Sequence, residues 1–327
     1  MKSIITIIGP TASGKTSMGI EVSKLLNGEI ISLDSRQIYK GMEIGTAQPT
    51  KIEQEIISHH LIGFRNPSQT VAAGEYAKLV EEKISVIKQN GKVPIICGGA
   101  GLYYRVLKEG VFFGSSMDIS IRKKLEKSYE DNPSHLLDQL KKIDPKYSEI
   151  VHLNNKKRMI RALEIYEITG KPPTEHFKKQ KQSLNKTLDL FTIFLFWERK
   201  TLIKRIVKRT KEMLKNGWIR EVEKLIKIQS NNENIFPALN SIGYYQIKKY
   251  LIGELSYDEM EEMIIIKTRQ FARRQSQWFS KEKIDLIIEM DNMPKNQSSL
   301  IIQQLFKSKN IKINFRVIRL FFIKYFL

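Results

Sequence analysis

Apolar residues in the first third of the chain fall into short runs separated by stretches of helical period. Residues 3–8, 29–33 and 93–97 are nearly continuous apolar runs of strand length. Between them, 16–26 and 75–90 repeat apolar residues at helical spacing, the second through Leu79, Val80, Ile84 and Ile87. Strands alternating with helices predict an α/β fold: a parallel sheet with right-handed crossovers. From about 113 to 188 no strand pattern is found. Charged helical stretches dominate there, broken at Pro133, Pro145 and Pro172-Pro173, which predicts an all-helical insertion. The strand pattern returns at 191–197 (FTIFLFW). Helices fill 201–281 apart from a break near 231–237, and 284–290 is a last short strand. The predicted organisation is a core of 1–112 with 189–290, an insertion of 113–188 and a tail of 291–327. Residues 306–327 carry Lys307, Lys309, Lys312, Arg316, Arg319 and Lys324 and no acid. This run is an amphipathic basic segment for membrane or RNA, or an appendage of little consequence; we read it as the second.

The chain of 327 residues, 41% hydrophobic, has length and apolar content for two domains, or one with an insertion. Its single cysteine, Cys97, excludes an internal disulfide and any Cys-pair zinc module; it ends a buried strand and reads as inert. With 55 Lys+Arg against 35 Asp+Glu, the net charge of +20 attracts a polyanion, nucleic acid first and anionic membrane second. An Ile-, Lys- and Asn-rich composition raises the lysine count by itself, so charge alone does not establish binding. The run at 3–8 is too short for a secretory signal, and no stretch of about 18 apolar residues exists to span a bilayer. A cytoplasmic setting is expected.

Gly9-Pro10-Thr11-Ala12-Ser13-Gly14-Lys15-Thr16 fits G-x-x-x-x-G-K-[ST], placed between a predicted strand and a predicted helix. Such a loop wraps phosphate with inward-turned amides at a helix N-terminus. Lys15 adds a charge for the terminal phosphate, and the Thr16 hydroxyl is a ligand for Mg²⁺. The motif specifies a diphosphate or triphosphate, not the reaction. Asp34 follows the second predicted strand, at the carboxyl edge where open parallel sheets bind ligands. A carboxylate there holds Mg²⁺ through water, accepts a proton from a nucleophile, or, with Asp34-Ser35 opening a turn, is the N-cap of a helix.

Three blocks then converge: GPTASGKT (9–16), DSRQIYKGMEIGTA (34–47) and GGAGLYYRVL (98–107). Together they resemble the tRNA dimethylallyltransferase (isopentenyl-pyrophosphate:tRNA transferase) family. The resemblance continues through NNKKRMIRALEIYEITGK (154–171), IGYYQIKKYLIGELSYDEM (242–260) and TRQFARRQSQWF (268–279), covering about 3–290. It implies a P-loop NTPase-like core and transfer of a dimethylallyl group from dimethylallyl diphosphate to N6 of the adenosine just 3′ of the anticodon, tRNA position 37. By the same resemblance the loop of Gly9–Thr16 binds the diphosphate, Thr16 ligates Mg²⁺, Asp34 is the general base and Arg209 holds the diphosphate. Contacts to tRNA are implied for Asp34, Ser35, Arg36, Gln37, Gly101, Lys123, Lys157, Arg158, Arg161, Gly243, Tyr244, Arg269, Arg273, Arg274 and Gln277. The implied partners are tRNA and dimethylallyl diphosphate, with no membrane, for a monomeric enzyme. The sequence departs from the family pattern at Ala100 (usually Thr), Gln48 (usually Lys), Gly63 (usually Asp) and Asn240 (often Arg).

Basic faces fit a tRNA substrate. In 199–215 the apolar residues form one helical stripe, and Arg205 and Arg209 lie one turn apart on its flank, able to face the phosphate loop together; a solvated basic face is the alternative. Arg269, Arg273 and Arg274 with Gln270 and Gln277 make a second face, in which Phe271 and Trp278 are expected to be core. Lys156, Lys157, Arg158 and Arg161 make a third. His59 and His60 lack partners at metal-ligand spacing. A prenyltransferase for free adenosine phosphates, a P-loop kinase and a nucleotide-switched RNA-binding protein remain as alternatives.

Overall fold

A computed structural model describes residues 3–110, 118–182, 188–231 and 235–308. Six parallel strands form one sheet: β1 (Ile4–Ile8), β2 (Gly28–Leu33), β3 (His59–His60), β4 (Val93–Gly98), β5 (Leu190–Phe196) and β6 (Leu286–Glu289). Their order is β3-β2-β4-β1-β5-β6. β1 is central, pairing Ile5 with Ile95 of β4 and Phe191 of β5, and all five of its residues are buried. Strands covered on both faces carry unbroken apolar runs instead of alternation. The two-residue edge strand β3 was not foreseen.

One face of the sheet packs Ile5, Ile7, Ile30, Ile95, Cys97, Ile193 and Leu195 against Met18 and Val22 of the helix Lys15–Leu26. The other face holds a buried polar contact, Tyr104 Oη to Thr192 Oγ1 at 2.9 Å, beneath Phe279. The helix Lys295–Lys307 joins the first layer. Ile302 is fully buried in that core, Gln303 Nε2 donates to Leu25 O at 2.7 Å and Lys295 Nζ to Ser17 Oγ at 2.8 Å. The expected appendage beginning at 291 therefore includes a helix that is part of the core, and Met293-Pro294 is the lead-in to that helix. The rest of the basic run, 309–327, lies outside the described residues.

Two compact units result, Met1–Tyr104 with Leu188–Leu327, and Arg105–Thr187. The second unit starts before the expected 113. It holds helices Ile119–Asp131, Pro133–Ile143, Pro145–Ser148, Lys156–Thr169 and Pro173–Gln182, and no strand among the described residues. The expected breaks at Pro133, Pro145 and Pro172-Pro173 are present, and Pro133, Pro145 and Pro173 each open the next helix. Asn132 and Asp144 accept from backbone amides just past Pro133 and Pro145, and proline at the first helical position loses no hydrogen bond. Leu125, Leu136, Leu140, Met159 and Leu163 form its separate core. No described helix is long and apolar enough to cross a membrane.

Candidate active site

The phosphate loop leaves β1 and turns into the helix Lys15–Leu26 through Gly14, whose φ of 91° is left-handed and suits glycine. Lys15 Nζ reaches back over the loop and donates to Pro10 O at 2.8 Å and Gly9 O at 3.1 Å. Ser13 Oγ is buried with no hydrogen-bond partner among the described residues. The helix Arg199–Lys215 brings both predicted arginines to the loop. Arg205 Nε donates to Ala12 O at 2.8 Å, and Arg209 Nη1 lies 3.4 Å from Thr11 Oγ1. Trp197, just past β5, donates its indole N–H to Ser13 O at 2.9 Å, and the Arg205 guanidinium lies 4.2 Å from its ring centroid. The phosphate loop is thus fixed from outside by an arginine, an indole and the side-chain amide of Gln275, which accepts from the Thr11 N–H at 2.8 Å.

Asp34 ends β2 on the same edge of the sheet. Its Oδ1 accepts from the amides of Arg36 at 2.7 Å and Gln37 at 3.3 Å, which caps a turn; the next helix begins only at Lys51, so the helix N-cap weighed as an alternative is not formed. No hydrogen bond to Oδ2 is present among the described residues. The turn Gly98–Ala100 is bolted beside it, with the Gly99 and Ala100 amides donating to Leu33 O at 3.1 and 3.0 Å. Desolvation and, after it, the Arg209 charge push the Lys15 ammonium down to about 8, while the Asp34 carboxylate pulls the other way. Burial also lowers Arg209, again opposed by Asp34. Two half-buried cations and one half-buried carboxylate therefore share this edge of the sheet. Such a field suits a polyanion and raises the cost of leaving the cations without one. Cys97, pushed up to about 12 by burial, is a thiol of the core.

The segment after Asp34 is held from below. Gln37 accepts from Ser32 Oγ at 3.0 Å and donates to Ala47 O at 2.8 Å. Glu221 accepts from the amides of Ile44 at 2.7 Å and Gly45 at 2.9 Å and from Tyr244 Oη at 2.6 Å. Burial raises its pKa against these hydrogen bonds. A Cβ at Gly45 would stand 1.9 Å from Trp218 Nε1, so only glycine lets that indole close the floor. Glu221, Trp218, Trp197 and Gln275 were not foreseen. A glycine that admits an indole is visible in a sequence only once the indole's position is known.

The predicted tRNA residues divide. Arg36, Lys123, Lys157, Arg158, Arg269, Arg273, Arg274 and Gln277 are exposed. Tyr244 is fully buried, with its hydroxyl on Glu221, so it does not offer a surface to RNA. Gly101 and Gly243 are close-approach points, the first against Trp278 and the second against Trp218. Arg161 and Arg122 both donate to Glu164 Oε2 at 2.7 Å, and Lys156 pairs with Glu130 at 2.9 Å. Phe271, expected in the core, is 39% exposed because it sits on the side of its helix that carries Arg274. His59 and His60 hydrogen-bond Ile57 O and Glu29. No group of three or more His, Cys, Asp or Glu placed to hold a metal ion occurs among the described residues.

Residues 37–282 match the family described as IPP transferase. The chain is 42% identical over 283 residues to the tRNA dimethylallyltransferase of Acetivibrio thermocellus, covering 86% of this chain and 90% of that protein. It is similar to the tRNA isopentenylpyrophosphate transferase of Bacillus halodurans, with a TM-score of 0.67 and 32% identity over 93% of this chain and 95% of that one. It is also similar to a eukaryotic dimethylallyltransferase acting on tRNA, with a TM-score of 0.81 and 26% identity over 95% of this chain and 81% of that one. A phosphate loop at the end of β1, a carboxylate at the end of β2 and a family match spanning most of the sequence agree, and the chain belongs to the IPP transferase family.

Proposed function

We propose that the protein transfers a dimethylallyl group from dimethylallyl diphosphate to N6 of the adenosine at tRNA position 37. It is a transferase of the tRNA dimethylallyltransferase class, and the tRNA substrate rests on the relatives' activity. The observation that carries the finer reading is the grouping of Lys15, Arg209 and Asp34 at one edge of the sheet, where the Asp34 carboxylate lies near enough to raise the proton affinity of both cations.

In this reading the loop amides, Lys15 and Arg209 bind the diphosphate, which explains why two half-buried cations are held side by side. As the allylic C–O bond breaks, negative charge grows on the leaving oxygens, and these fixed donors stabilise it without reorganising. The adenine N6 forms the new bond to the allylic carbon and loses one proton to Asp34. Asp34 is suited to this because its Oδ1 is tied to two backbone amides, which fixes the carboxylate while Oδ2 receives the amine hydrogen. Diphosphate leaves. Thr16, on the first turn beside Lys15, fits a hard cation such as Mg²⁺: its hydroxyl makes no hydrogen bond to another described residue, and an oxygen donor plus phosphate oxygens is the ligand set Mg²⁺ favours. The cation would add charge neutralisation at the leaving oxygens.

Lys123, Lys157 and Arg158 of the helical unit and Arg269, Arg273 and Arg274 of the helix Tyr257–Phe279 would contact the RNA backbone, as exposed cations do. The protein acts as a monomer in the cytoplasm. Incubation with dimethylallyl diphosphate and tRNA, followed by mass analysis of the nucleosides, tests the reading. Dimethylallyladenosine in tRNA is the expected product. Product on AMP but not on tRNA would replace it with the free-nucleotide reading, and ATP turnover without transfer with the kinase or switch readings.

A further inference from the structure

The long helix Tyr257–Phe279 has one polar side chain on its buried side near the phosphate loop, Gln275, which is 7% exposed. Both ends of its amide are used. Oε1 accepts from the Thr11 amide at 2.8 Å, and Nε2 donates to Gly99 O at 2.9 Å. The first partner belongs to the phosphate loop after β1. The second belongs to the turn after β4, whose neighbouring amides grip Leu33 O, one residue before Asp34. The chain gives this amide room: a Cβ at Gly99 would lie 2.4 Å from Gln275 Nε2. β1 and β4 are neighbours in the sheet, but their loops are not joined by strand hydrogen bonds beyond the pair Ile8 and Gly98. Gln275 replaces that missing rung with a side chain.

We infer that Gln275 is a positioning residue that fixes the spacing between the phosphate loop and the turn after β4 that grips Leu33, the residue before Asp34, and so the alignment of leaving group and base. The inference rests on the proposed prenyl transfer for its kinetic consequence, but not for its structural one. The Thr11 amide and the Thr11 hydroxyl lie on the same residue, and that hydroxyl faces Arg209. Freeing the amide therefore releases the loop at the point where its arginine is aimed. Gln is needed because the two partners demand opposite hydrogen-bonding roles: an acceptor for Thr11 N–H and a donor for Gly99 O. Glutamate supplies two acceptors, and leucine supplies neither.

Three measurements on Gln275→Glu and Gln275→Leu test this. Both variants are first compared with the wild type by thermal melting and by the fraction of molecules that fold. Binding of inorganic diphosphate is then measured by calorimetry, and single-turnover transfer to tRNA at saturating substrates is followed. The expected result is folded protein, diphosphate affinity weakened about tenfold or more and a transfer rate reduced by about 10- to 100-fold, as a misplacement near 1 Å produces. Affinity for tRNA should change less than about twofold, because the exposed arginines of that helix are untouched. Gln275→Glu should be no better than Gln275→Leu although it is nearly isosteric. If both variants bind diphosphate as the wild type does, or if activity falls only in proportion to the folded fraction, Gln275 is packing and the inference is overturned. If Gln275→Glu unfolds, the Leu variant decides by the same readouts. Should the wild type bind diphosphate but fail to modify tRNA, the proposed function fails while the calorimetric comparison still judges Gln275.

Discussion

Lys15 Nζ donates to the carbonyl of Pro10 at 2.8 Å, so the lysine of the phosphate loop is folded onto its own loop beside Arg209. Its charge is held there half-buried and with a like charge near. This fixes how the site responds to pH. Lys15 titrates near 8 in the folded protein instead of 10.5. Between those values the unfolded chain keeps a proton that the folded chain has released. Lys15 therefore adds to the stability of the ligand-free protein as pH rises from about 8 to about 10.5. Bound diphosphate favours the ammonium and reverses the shift. Affinity for inorganic diphosphate is expected to be highest below about pH 8 and to fall above it, with a proton taken up on binding. Calorimetry in buffers of different ionisation enthalpy measures that uptake. A flat profile, or one unchanged in Lys15→Met, would rule the account out.

Asp34→Asn keeps an oxygen for the amides of Arg36 and Gln37 but removes the proton acceptor. Single-turnover transfer should drop by about 10²-fold or more, with tRNA affinity unchanged. A rate within tenfold of the wild type would mean that Asp34 is only a turn cap.

Glu221 gathers Ile44 N–H, Gly45 N–H and Tyr244 O–H on one partly buried carboxylate. Glu221→Ala leaves three donors without that partner and should destabilise the protein by about 3 kcal/mol, whereas Tyr244→Phe removes one bond and should cost about 1 kcal/mol. Urea unfolding measures both. Equal losses in the two variants would show that the tyrosine, not the carboxylate, anchors the floor.

Much of this was legible in the residues. Unbroken runs such as IITII announce strands covered on both faces. The G-x-x-x-x-G-K-T spacing and the one-turn separation of Arg205 and Arg209 depend only on local geometry, and local geometry is what a sequence encodes most directly. The misses are of another kind. β3 is two residues long, too short for any period to register. Gln275 stands in RRQSQ, where an amide between arginines reads as part of a basic face; its partners Thr11 and Gly99 are remote in sequence. Phe271 leaves its expected place because an aromatic residue near the edge of a helical stripe can face either way until its neighbours are fixed, whereas the RNA contact of Tyr244 was carried over from the resemblance and not read from a stripe. The last helix was hidden by the polar residues around Pro294 and by serines at 298 and 299 that fit close against the core.

That helix makes a fourth prediction. Ile302 is fully buried against the layer that begins with the phosphate-loop helix. Ile302→Ala should cost about 2–5 kcal/mol, as cavity-forming substitutions do, read from urea unfolding. A loss below about 1 kcal/mol would mean that the helix can collapse into the space or detach without consequence.

In the helical unit, Lys123, Lys157 and Arg158 are exposed, while Arg161 is held on Glu164 and Lys156 on Glu130. Replacing the first three together by Gln should raise the KM for tRNA and lower the slope of log affinity against log salt by about 2–3, if each neutralises one phosphate. Filter binding over a salt series measures it. A slope equal to that of the wild type would remove this unit from the RNA contact surface.

The position of β1 bears on how the chain leaves the ribosome. β1 is made first yet lies in the middle of the sheet, and one of its two neighbours, β5, follows the whole of 105–187. The helical unit has its own core within that span. It can complete itself from local contacts while the sheet is still open, since short-range packing forms faster than distant strand pairing. Throughout that interval the IITII strand presents a bare hydrogen-bonding edge, a template for any other extended chain nearby. On this order of events, lengthening the insertion or slowing its translation should send more of the newborn chains into aggregates without changing the finished fold.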